Sequence, residues 1–335
     1  MIESYLHKMA DLTATAAASP NIALIKYWGN RVDPLRLPAN GSISMNLDGL
    51  EARTRVTFNP SFITDQFILN HHQANSADLS RVSVFLDLVR QMAGSHLYAT
   101  VESRNNFPIG AGVASSAAAY AALSLAAAKA IGLDLNEIEL SRLARRGSGS
   151  ACRSVPGGFV EWLPGRSDRD SFAVTLAPAR HWDLVDCITL ISRLPKPVGS
   201  TEGHSLAKSS PFQKARVADT DRRLELCRGA ILARDFKALS TVVELDSNMM
   251  HAVMITSQPT LLYLMPGSIT VMQAVIHWRN NGLPVCYTLD AGPNVHVLCP
   301  AESAKEVSLR LEQLPGINQV LLAHPGGPAH LIEQI

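Results

Sequence analysis

The sequence predicts a fold built from both strands and helices, and three observations bear on its architecture. The chain has 335 residues, 47% of them hydrophobic, which is enough for two domains or for one large two-lobed domain. Strand and helix patterns alternate in the first half, whereas the second half is mostly helical up to Asn281. Two prolines in the segment LPKPVGSTEGH indicate a boundary between lobes.

Composition excludes several classes of protein. A formal net charge of +1 gives no general attraction to nucleic acid or to a membrane surface. The eleven histidines show no metal-binding spacing and the five cysteines form no CxxC pair, so neither a zinc site nor a disulfide framework is indicated. No segment approaches the roughly 20 apolar residues of a membrane span, and the start MIESYLHKMADL does not resemble a signal peptide. We therefore expect a cytoplasmic protein in a reducing compartment, without nucleic-acid or membrane partners.

The first predicted strands contain one charge within an apolar run. Residues 14–18 begin a strand, Pro20 interrupts it, and residues 22–27 resume it with Lys26 as the only charged residue. A lysine in this position either extends its ammonium group out of the core or directs it into a cleft. Both alternatives stay open on this segment alone.

A second strand and an amphipathic helix come next along the chain. Residues 42–47 alternate as a strand, and residues 78–92 place apolar side chains on one helical face. Arg81 lies near the start of that helix, where a surface salt bridge would account for it. A further strand over residues 97–102 leads into the central motif of the chain.

The central motif is residues 105–131, NNFPIGAGVASSAAAYAALSLAAAKAI, which we interpret as a phosphate-binding loop followed by a helix. The first turn of a helix carries backbone N–H groups without partners and the positive end of the helix dipole. Gly110 and Gly112 would let an anion approach the main chain, and Ser115 and Ser116 would add hydroxyl donors. Close packing of a helix on a strand would explain the same small residues. The segment lacks the lysine of a Walker loop and the third glycine of a dinucleotide fingerprint.

Two polar segments lie beyond this motif. Residues 134–146 predict a helix with Arg142, Arg145 and Arg146 on a solvated face. The following segment, GSGSACRSVPGG, combines serines, glycines and an arginine in a turn that is rich in donors. Without further information it would be a tight loop leading into the strand of residues 158–163.

The second half contains one acid in a distinctive setting. Residues 187–192 predict a strand, and residues 224–233, 236–254 and 269–281 predict helices. In VCYTLDAGPNVHVLC, apolar residues precede and follow a turn, so Asp290 is presented at the end of a strand. An Asx-type turn, in which the carboxylate caps its own backbone, is the alternative. Residues 301–314 predict a closing helix.

These motifs together resemble a known family. The proline, the glycines and the Ser-Ser-Ala helix start resemble the second motif of the GHMP family of small-molecule kinases. SPNIALIKYWGNR followed by LRLPANGSISMNL resembles the opening signature of its mevalonate diphosphate decarboxylase branch, and the resemblance covers almost the whole chain. It implies an α+β, two-lobed GHMP kinase fold, with a deep cleft between an N-terminal α/β lobe, residues 1–190, and a C-terminal ferredoxin-like lobe, residues 191–335.

The resemblance implies ATP and Mg2+ as cofactors. Magnesium would bridge the phosphate oxygens, with Ser115 as the protein residue nearest to it. The residues implied in nucleotide binding are Pro108, Gly110, Ala111, Gly112, Ser115 and Ser116. The residues implied in substrate binding are Tyr27, Asn30, Arg81, Ser148, Ser150, Arg153, Ser200 and Thr201. A homodimer is also implied, of which the sequence gives no independent sign.

The resemblance further implies a reaction and three catalytic residues. Asp290 would orient or deprotonate the tertiary 3-hydroxyl of a 5-phosphorylated mevalonate, and Lys26 would keep that carboxylate ionised. Arg153 would bind the substrate carboxylate through two parallel charge-assisted bonds. Phosphorylation at the 3-position, followed by loss of phosphate and carbon dioxide, would give isopentenyl phosphate or isopentenyl diphosphate in isoprenoid biosynthesis.

One position departs from the family signature. The residue after Trp28-Gly29 is usually a second lysine that contacts the terminal phosphate, and in this chain it is Asn30. Loss of a charge-assisted contact costs about 1.5–3 kcal/mol, which is on the order of ten- to a hundredfold in affinity. The sequence therefore favours mevalonate 5-phosphate modestly over mevalonate 5-diphosphate.

Three functions other than decarboxylation are alternatives within the same GHMP resemblance. A mevalonate-type 3-kinase would release ADP without carbon dioxide. A homoserine- or galactokinase-like enzyme fits less well, because the KYWGN segment belongs to the decarboxylase branch. A non-catalytic GHMP-fold metabolite-binding protein would be expected to lack the catalytic residues.

Overall fold

The computed structural model describes residues 12–107, 115–194, 196 and 198–332, in which strands and helices are both abundant. The strands are β1 Leu12–Ala18, β2 Asn21–Ile25, β3 Asn30–Val32, β4 Leu37–Pro38, β5 Ser42–Asn46, β6 Ala52–Phe58, β7 Gln66–Leu69, β8 His72–Gln73, β9 Ala99–Asn105, β10 Phe159–Leu163, β11 Phe172–Ala177, β12 Leu184–Leu190, β13 Cys286–Thr288, β14 Val295–Pro300, β15 Gln319–Ala323 and β16 His330–Leu331. The α-helices are α1 Ser76–Ala93, α2 Ser115–Ala130, α3 Glu137–Gly147, α4 Ser200–Leu206, α5 Gln213–Ala218, α6 Thr220–Ala233, α7 Phe236–Ile255, α8 Pro266–Asn280 and α9 Ala304–Glu312. The α+β prediction is confirmed.

Three sheets organise the described chain. The first has the strand order β16-β1-β6-β9-β7-β8, the second β11-β10-β5-β2, and the third β13-β14-β12-β15. Pairing is antiparallel throughout except between β7 and β9. Strands β3 and β4 form a separate two-stranded hairpin.

The break at Pro20 moves the chain from one sheet to another. Strand β1 pairs with β6 in the first sheet, and β2 pairs with β5 in the second. All five residues of β2 are buried, because helices α6 and α7 of the second half pack against this strand. Lys26 follows β2 directly and is therefore carried into the interior of the protein.

Local signals account for the helices of the first half. Asn75 caps α1 by accepting from the Asp78 backbone N–H at 2.9 Å, and Gly94 ends the helix with φ of 62°. Helix α2 buries most of its alanines between the first sheet and α3, which explains its unusually small side chains. The helices expected over residues 78–92 and 115–131 are thus both present.

The largest buried cluster contains residues from both halves of the chain. Ile22, Leu24 and Met45 from the first half lie in one core with Leu224, Val243 and Leu298 from the second. The predicted division between residues 190 and 191 stays a prediction. Strand pairing places the change of sheet before residue 190, because β12 already belongs to the third sheet. Near the end of the chain, β16 returns to the first sheet.

One surface prediction is wrong. Arg145 of α3 is fully buried instead of solvated, because the loop after β10 folds over this helix. Its guanidinium donates to the carbonyl oxygen of Leu35 and to the carboxylate of Asp168, the latter at 2.6 Å. Helical periodicity could not reveal a carboxylate supplied by a distant loop.

The cysteines and the helices are relevant to the predictions about disulfides and membrane spans. All five cysteines are buried and free; they are Cys152, Cys187, Cys227, Cys286 and Cys299. Among the residues that the structure describes, the helices are too short or too polar to cross a membrane.

Candidate active site

Lys26 and Asp290 form a direct ion pair across the two halves of the chain. The Lys26 ammonium donates to Asp290 Oδ1 at 2.6 Å. The lysine side chain is 1% exposed and the aspartate side chain 27% exposed, so the pair has one open side, at the carboxylate. The lysine is therefore directed inward at the carboxylate, which settles the alternative that the sequence left open.

The charges of this pair shift both pKa values. Burial raises the pKa of the Asp290 carboxyl, but the charge and hydrogen bond of the adjacent Lys26 ammonium, together with other nearby positive charges, outweigh this effect and hold the pKa below its usual value. Burial lowers the pKa of Lys26, and Asp290 opposes that shift. Asp290 is therefore an ionised carboxylate at neutral pH, ready to accept a proton or a hydrogen bond.

The backbone of Lys26 is held by buried polar side chains from both halves. Its N–H donates to Asp246 Oδ2 at 2.6 Å. Its carbonyl oxygen accepts from Arg216 at 2.7 Å and from the Asn40 amide at 2.9 Å. Because both backbone groups have buried partners, the position from which the lysine side chain extends is closely defined.

Asp246 is one residue of this site to which the sequence motifs assign no role. It is fully buried on α7, pairs with Arg223 Nε at 2.8 Å, and lies 3.8 Å from Arg216. Asp246 comes three residues after Val243 and four residues before Met250, so it lies on the same apolar face of α7 as these two core residues. A carboxylate within an apolar helical stripe is a detectable sequence signal for a buried ionic partner.

Arg153 is a buried cation held by neutral partners. It donates to Ser42 Oγ at 2.5 Å, and to Asn21 Oδ1 at 3.2 Å and 3.3 Å. In the described part of the chain, no carboxylate lies within ion-pair distance of it. Such a cation is arranged to accept an anionic ligand.

Tyr27 packs in an aromatic group beside this site. Its ring stacks on His204 with centroids 4.1 Å apart, and it contacts Trp162 at 4.7 Å. Its hydroxyl donates to the Asn30 amide oxygen. A side chain at Gly149 would place Cβ only 2.5–2.8 Å from the Tyr27 ring, so the glycine is required for this close approach.

His204 is neutral in this setting. It accepts from the Gly29 backbone N–H through Nδ1 at 3.0 Å. Burial lowers its pKa to about 3, and the charges of Arg36 and Lys196 act in the same direction. The residue therefore serves as an uncharged support for Tyr27 and Gly29.

Two predicted serines meet at the start of α2. Ser116 Oγ and Ser148 Oγ are 3.3 Å apart, so the donor-rich turn after α3 lies against the helix N-terminus. Ser150 accepts through its carbonyl oxygen from Asn21, which also contacts Arg153. Pro108, Gly110, Ala111 and Gly112 lie outside the described residues.

A cavity of about 240 Å³ opens beside these serines. Its lining is mostly apolar, with Phe67, Val101 and Leu123 contributed by the first sheet and α2. Ser115 and Ser116 stand at one part of the lining and Arg81 at another. The cavity therefore joins an apolar volume to a group of polar donors.

The remaining residues that the sequence predicts to bind substrate lie at the edge of the candidate site. Arg81 is half exposed, with a 4.0 Å contact to Asp78 and its guanidinium 5.9 Å from the Tyr120 ring centre. Ser200 accepts from Lys196 at 2.6 Å, and Thr201 follows it with an exposed side chain.

Lys196 is a second residue that the sequence analysis did not assign. Besides its contact with Ser200, its ammonium donates to the Ala291 carbonyl oxygen at 2.8 Å, next to Asp290. Burial lowers its pKa and the charge of Asp290 raises it. Its isolated position in a loop between two prolines gave no sequence signal.

Comparison with sequence families identifies both halves of the chain. Residues 18–173 match the family described as Diphosphomevalonate decarboxylase-like N-terminal domain. Residues 187–322 match the Mevalonate 5-diphosphate decarboxylase C-terminal domain. The two matches together span most of the chain.

Individual proteins agree with the family matches. A diphosphomevalonate decarboxylase of Saccharomyces cerevisiae is 36% identical, with 92% of this chain and 83% of the relative covered. The structure of MDDEF in complex with MVAPP, AMPPCP and magnesium has a TM-score of 0.92 and 40% identity, covering 97% of this chain and all of that chain. A structure of the mevalonate diphosphate decarboxylase from Enterococcus faecalis has a TM-score of 0.90 and 39% identity over 97% and 100% of the two chains. The resemblance seen in the sequence and the two-lobed fold that it implied are confirmed.

Proposed function

Because this chain belongs to the diphosphomevalonate decarboxylase family, we propose that it catalyses the ATP-dependent decarboxylation of a 5-phosphorylated mevalonate. The observation that carries the proposal is the Lys26–Asp290 ion pair, which presents one ionised carboxylate with an open side. Relatives bind MVAPP, AMPPCP and magnesium together. ATP and Mg2+ are accordingly the cofactors of this chain.

The residues present suit a nucleotide. The start of α2 offers Ser115 and Ser116 next to the largely apolar cavity, which is large enough to take part of a base. Magnesium prefers oxygen ligands and keeps several waters, so we assign it mainly to the nucleotide phosphates, with the Ser115 hydroxyl nearby. It would neutralise charge on the transferred phosphoryl group.

Phosphoryl transfer requires a positioned alcohol. Asp290 orients the tertiary 3-hydroxyl and accepts its proton as the oxygen bonds to the terminal phosphorus of ATP, and ADP leaves. Lys26 keeps Asp290 ionised before this step and compensates negative charge during it. Both contributions follow from the 2.6 Å contact between the two side chains.

Decarboxylation then breaks two bonds. The carbon–oxygen bond to the new phosphate breaks and its electron pair leaves with the phosphate. The carbon–carbon bond to the carboxylate breaks as carbon dioxide leaves, and the electron pair of that bond forms the carbon–carbon double bond. Arg153 would hold that carboxylate until it departs, because it is a buried cation whose neighbours are neutral. Ser148, Ser150, Ser200 and Thr201 would line the remaining path of the substrate.

We propose a modest preference for mevalonate 5-phosphate over mevalonate 5-diphosphate. Asn30 stands where the family signature has a lysine, and its amide is already engaged. The oxygen accepts from Tyr27, and the nitrogen donates to Asp33 at 3.0 Å. An extra phosphate near Asn30 would meet no cation from this residue and would approach the Asp33 carboxylate.

The test of this proposal compares the two esters. Each is supplied with ATP and Mg2+, and ADP, phosphate and carbon dioxide are measured. We expect all three products, with a higher kcat/KM for the monophosphate. A strong preference for the diphosphate would overturn the substrate assignment, and ADP without carbon dioxide would indicate a 3-kinase instead.

A cytoplasmic location and a homodimer stay predictions.

The ion pair predicts a shift in the pH profile of the reaction. Lys26 lowers the pKa of Asp290, so replacing it by glutamine should raise that pKa. Because the ionised carboxylate is the active form, the acid limb of kcat/KM should move to higher pH in Lys26→Gln. The profile of the exposed Lys129→Gln variant should match that of the wild type. An unmoved acid limb in Lys26→Gln would contradict the assignment.

A further inference from the structure

We propose that Arg36 is a specificity-determining residue that supplies positive charge to the 5-phosphate end of the substrate. The inference rests on the proposed function and adds a residue to it. Asn30 leaves the phosphate end without the lysine of the family signature, and Arg36 lies near the same group of residues in the turn of the β3–β4 hairpin.

The hairpin places Arg36 near Asn30. Asn30 of β3 pairs with Pro38 of β4, and Arg36 lies in the turn just before β4. Its backbone has φ of 48° and donates to the Asp33 carbonyl oxygen at 3.0 Å. A left-handed backbone costs a non-glycine residue roughly 1–2 kcal/mol, and such conformations are common at functional sites.

The side chain of Arg36 is directed toward the donor-rich turn. Its Nε donates to the Arg146 carbonyl oxygen at 3.1 Å, at the end of α3. Two residues later, Ser148 contacts Ser116 at the start of α2. The guanidinium is thus directed toward the segment that carries the serines proposed to bind the substrate, and within the described part of the chain its two terminal nitrogens are available for further contacts.

The charge of Arg36 is not neutralised by a neighbouring acid. No carboxylate lies within ion-pair distance of it among the residues that the structure describes. Asp33 of its own turn is bonded to Asn30, and Asp168 near α3 is shared by Arg142, Arg145 and Arg146. An unpaired guanidinium beside hydroxyl donors suits a phosphate.

The positive charge of Arg36 affects the pKa values of two neighbouring side chains, Tyr27 and His204. Burial raises the pKa of Tyr27 and lowers that of His204, and in both cases Arg36 exerts the largest effect of any charged group. These two rings stack on each other and Tyr27 contacts Asn30, so the charge of Arg36 acts on the group of residues around position 30.

The experiment compares Arg36→Gln with Arg31→Gln. Arg31 lies in the same hairpin, but it is exposed and donates to the backbone of Pro164 and Gly165. We expect the KM for the preferred ester to rise on the order of ten- to a hundredfold in Arg36→Gln, as for one lost charge-assisted contact. The KM for ATP should be unchanged, and Arg31→Gln should resemble the wild type.

Two further measurements separate charge from folding. The inhibition constant of unphosphorylated mevalonate should be the same in Arg36→Gln and wild type, because this compound has no 5-phosphate. Arg36→Lys should recover most of the lost affinity for the ester. An unchanged KM in Arg36→Gln, equal losses for mevalonate, or no recovery by lysine would each overturn the role of Arg36. Failure of the wild type to turn over either ester would overturn the proposed function itself.

Discussion

Replacement of Asp290 by asparagine is expected to lower kcat by ~100- to 10,000-fold, the usual contribution of a positioned general base. Asparagine preserves the size of the side chain but cannot accept the proton of the 3-hydroxyl. It also leaves the buried Lys26 ammonium without the anion that it contacts at 2.6 Å. The measurement is single-turnover release of ADP and carbon dioxide.

Nucleotide binding separates this catalytic loss from a general defect. Among the described residues, those proposed to bind the nucleotide phosphates are Ser115 and Ser116 at the start of α2, and they do not include Asp290, so the Kd for ATP should change little. Asp134→Asn, at an exposed loop position, provides the matched control and should retain wild-type kcat. Undiminished turnover in Asp290→Asn would assign the base to another residue.

Replacement of Asp246 by asparagine is expected to reduce the free energy of unfolding by about 3–5 kcal/mol, as when one partner of a buried ion pair is removed. Asp246 is fully buried, pairs with Arg223, and accepts the backbone N–H of Lys26. The variant would leave buried Arg216 without a carboxylate nearby among the described residues, and Arg223 with Asp219 alone. Urea unfolding followed by circular dichroism measures the loss.

Asp219 provides a control that shares the same arginine. It contacts Arg223 at 2.6 Å, but its side chain is 33% exposed. Asp219→Asn should therefore cost about 0.2–1 kcal/mol, as for a surface pair. If both variants lost the same stability, burial of the Asp246 pair would not be the cause. A lower kcat in Asp246→Asn, measured where the variant is folded, would further support its role in positioning Lys26.

The elements of the fold were largely accessible from local sequence patterns. Apolar periodicity identifies α1, the alanine-rich run that starts at Ser115 identifies α2, and Pro20 identifies the end of β1. What the patterns could not supply was pairing between distant segments. The return of β16 to the first sheet, and the placement of β12 in the third, depend on contacts far apart in the chain.

Candidate site residues can be proposed from the sequence where a motif fixes the residue type. The family motifs propose Lys26, Arg153 and Asp290 as catalytic residues, and the structure adds the direct contact between Lys26 and Asp290. Arg145 was misjudged because its partner Asp168 comes from a loop. Asp246 was passed over because its partners lie on α6 and beside β2, although its place in an apolar stripe is a usable signal.

The five buried cysteines have a practical consequence for spectroscopy. Burial raises the pKa of Cys152 to about 12, and it also raises the pKa values of Cys227 and Cys286. Thiolate, the species that maleimide dyes alkylate, is therefore scarce at these three positions, and burial restricts access of a dye to all five thiols. A single cysteine introduced on the surface could carry a fluorophore beside the substrate pocket with all native thiols left in place.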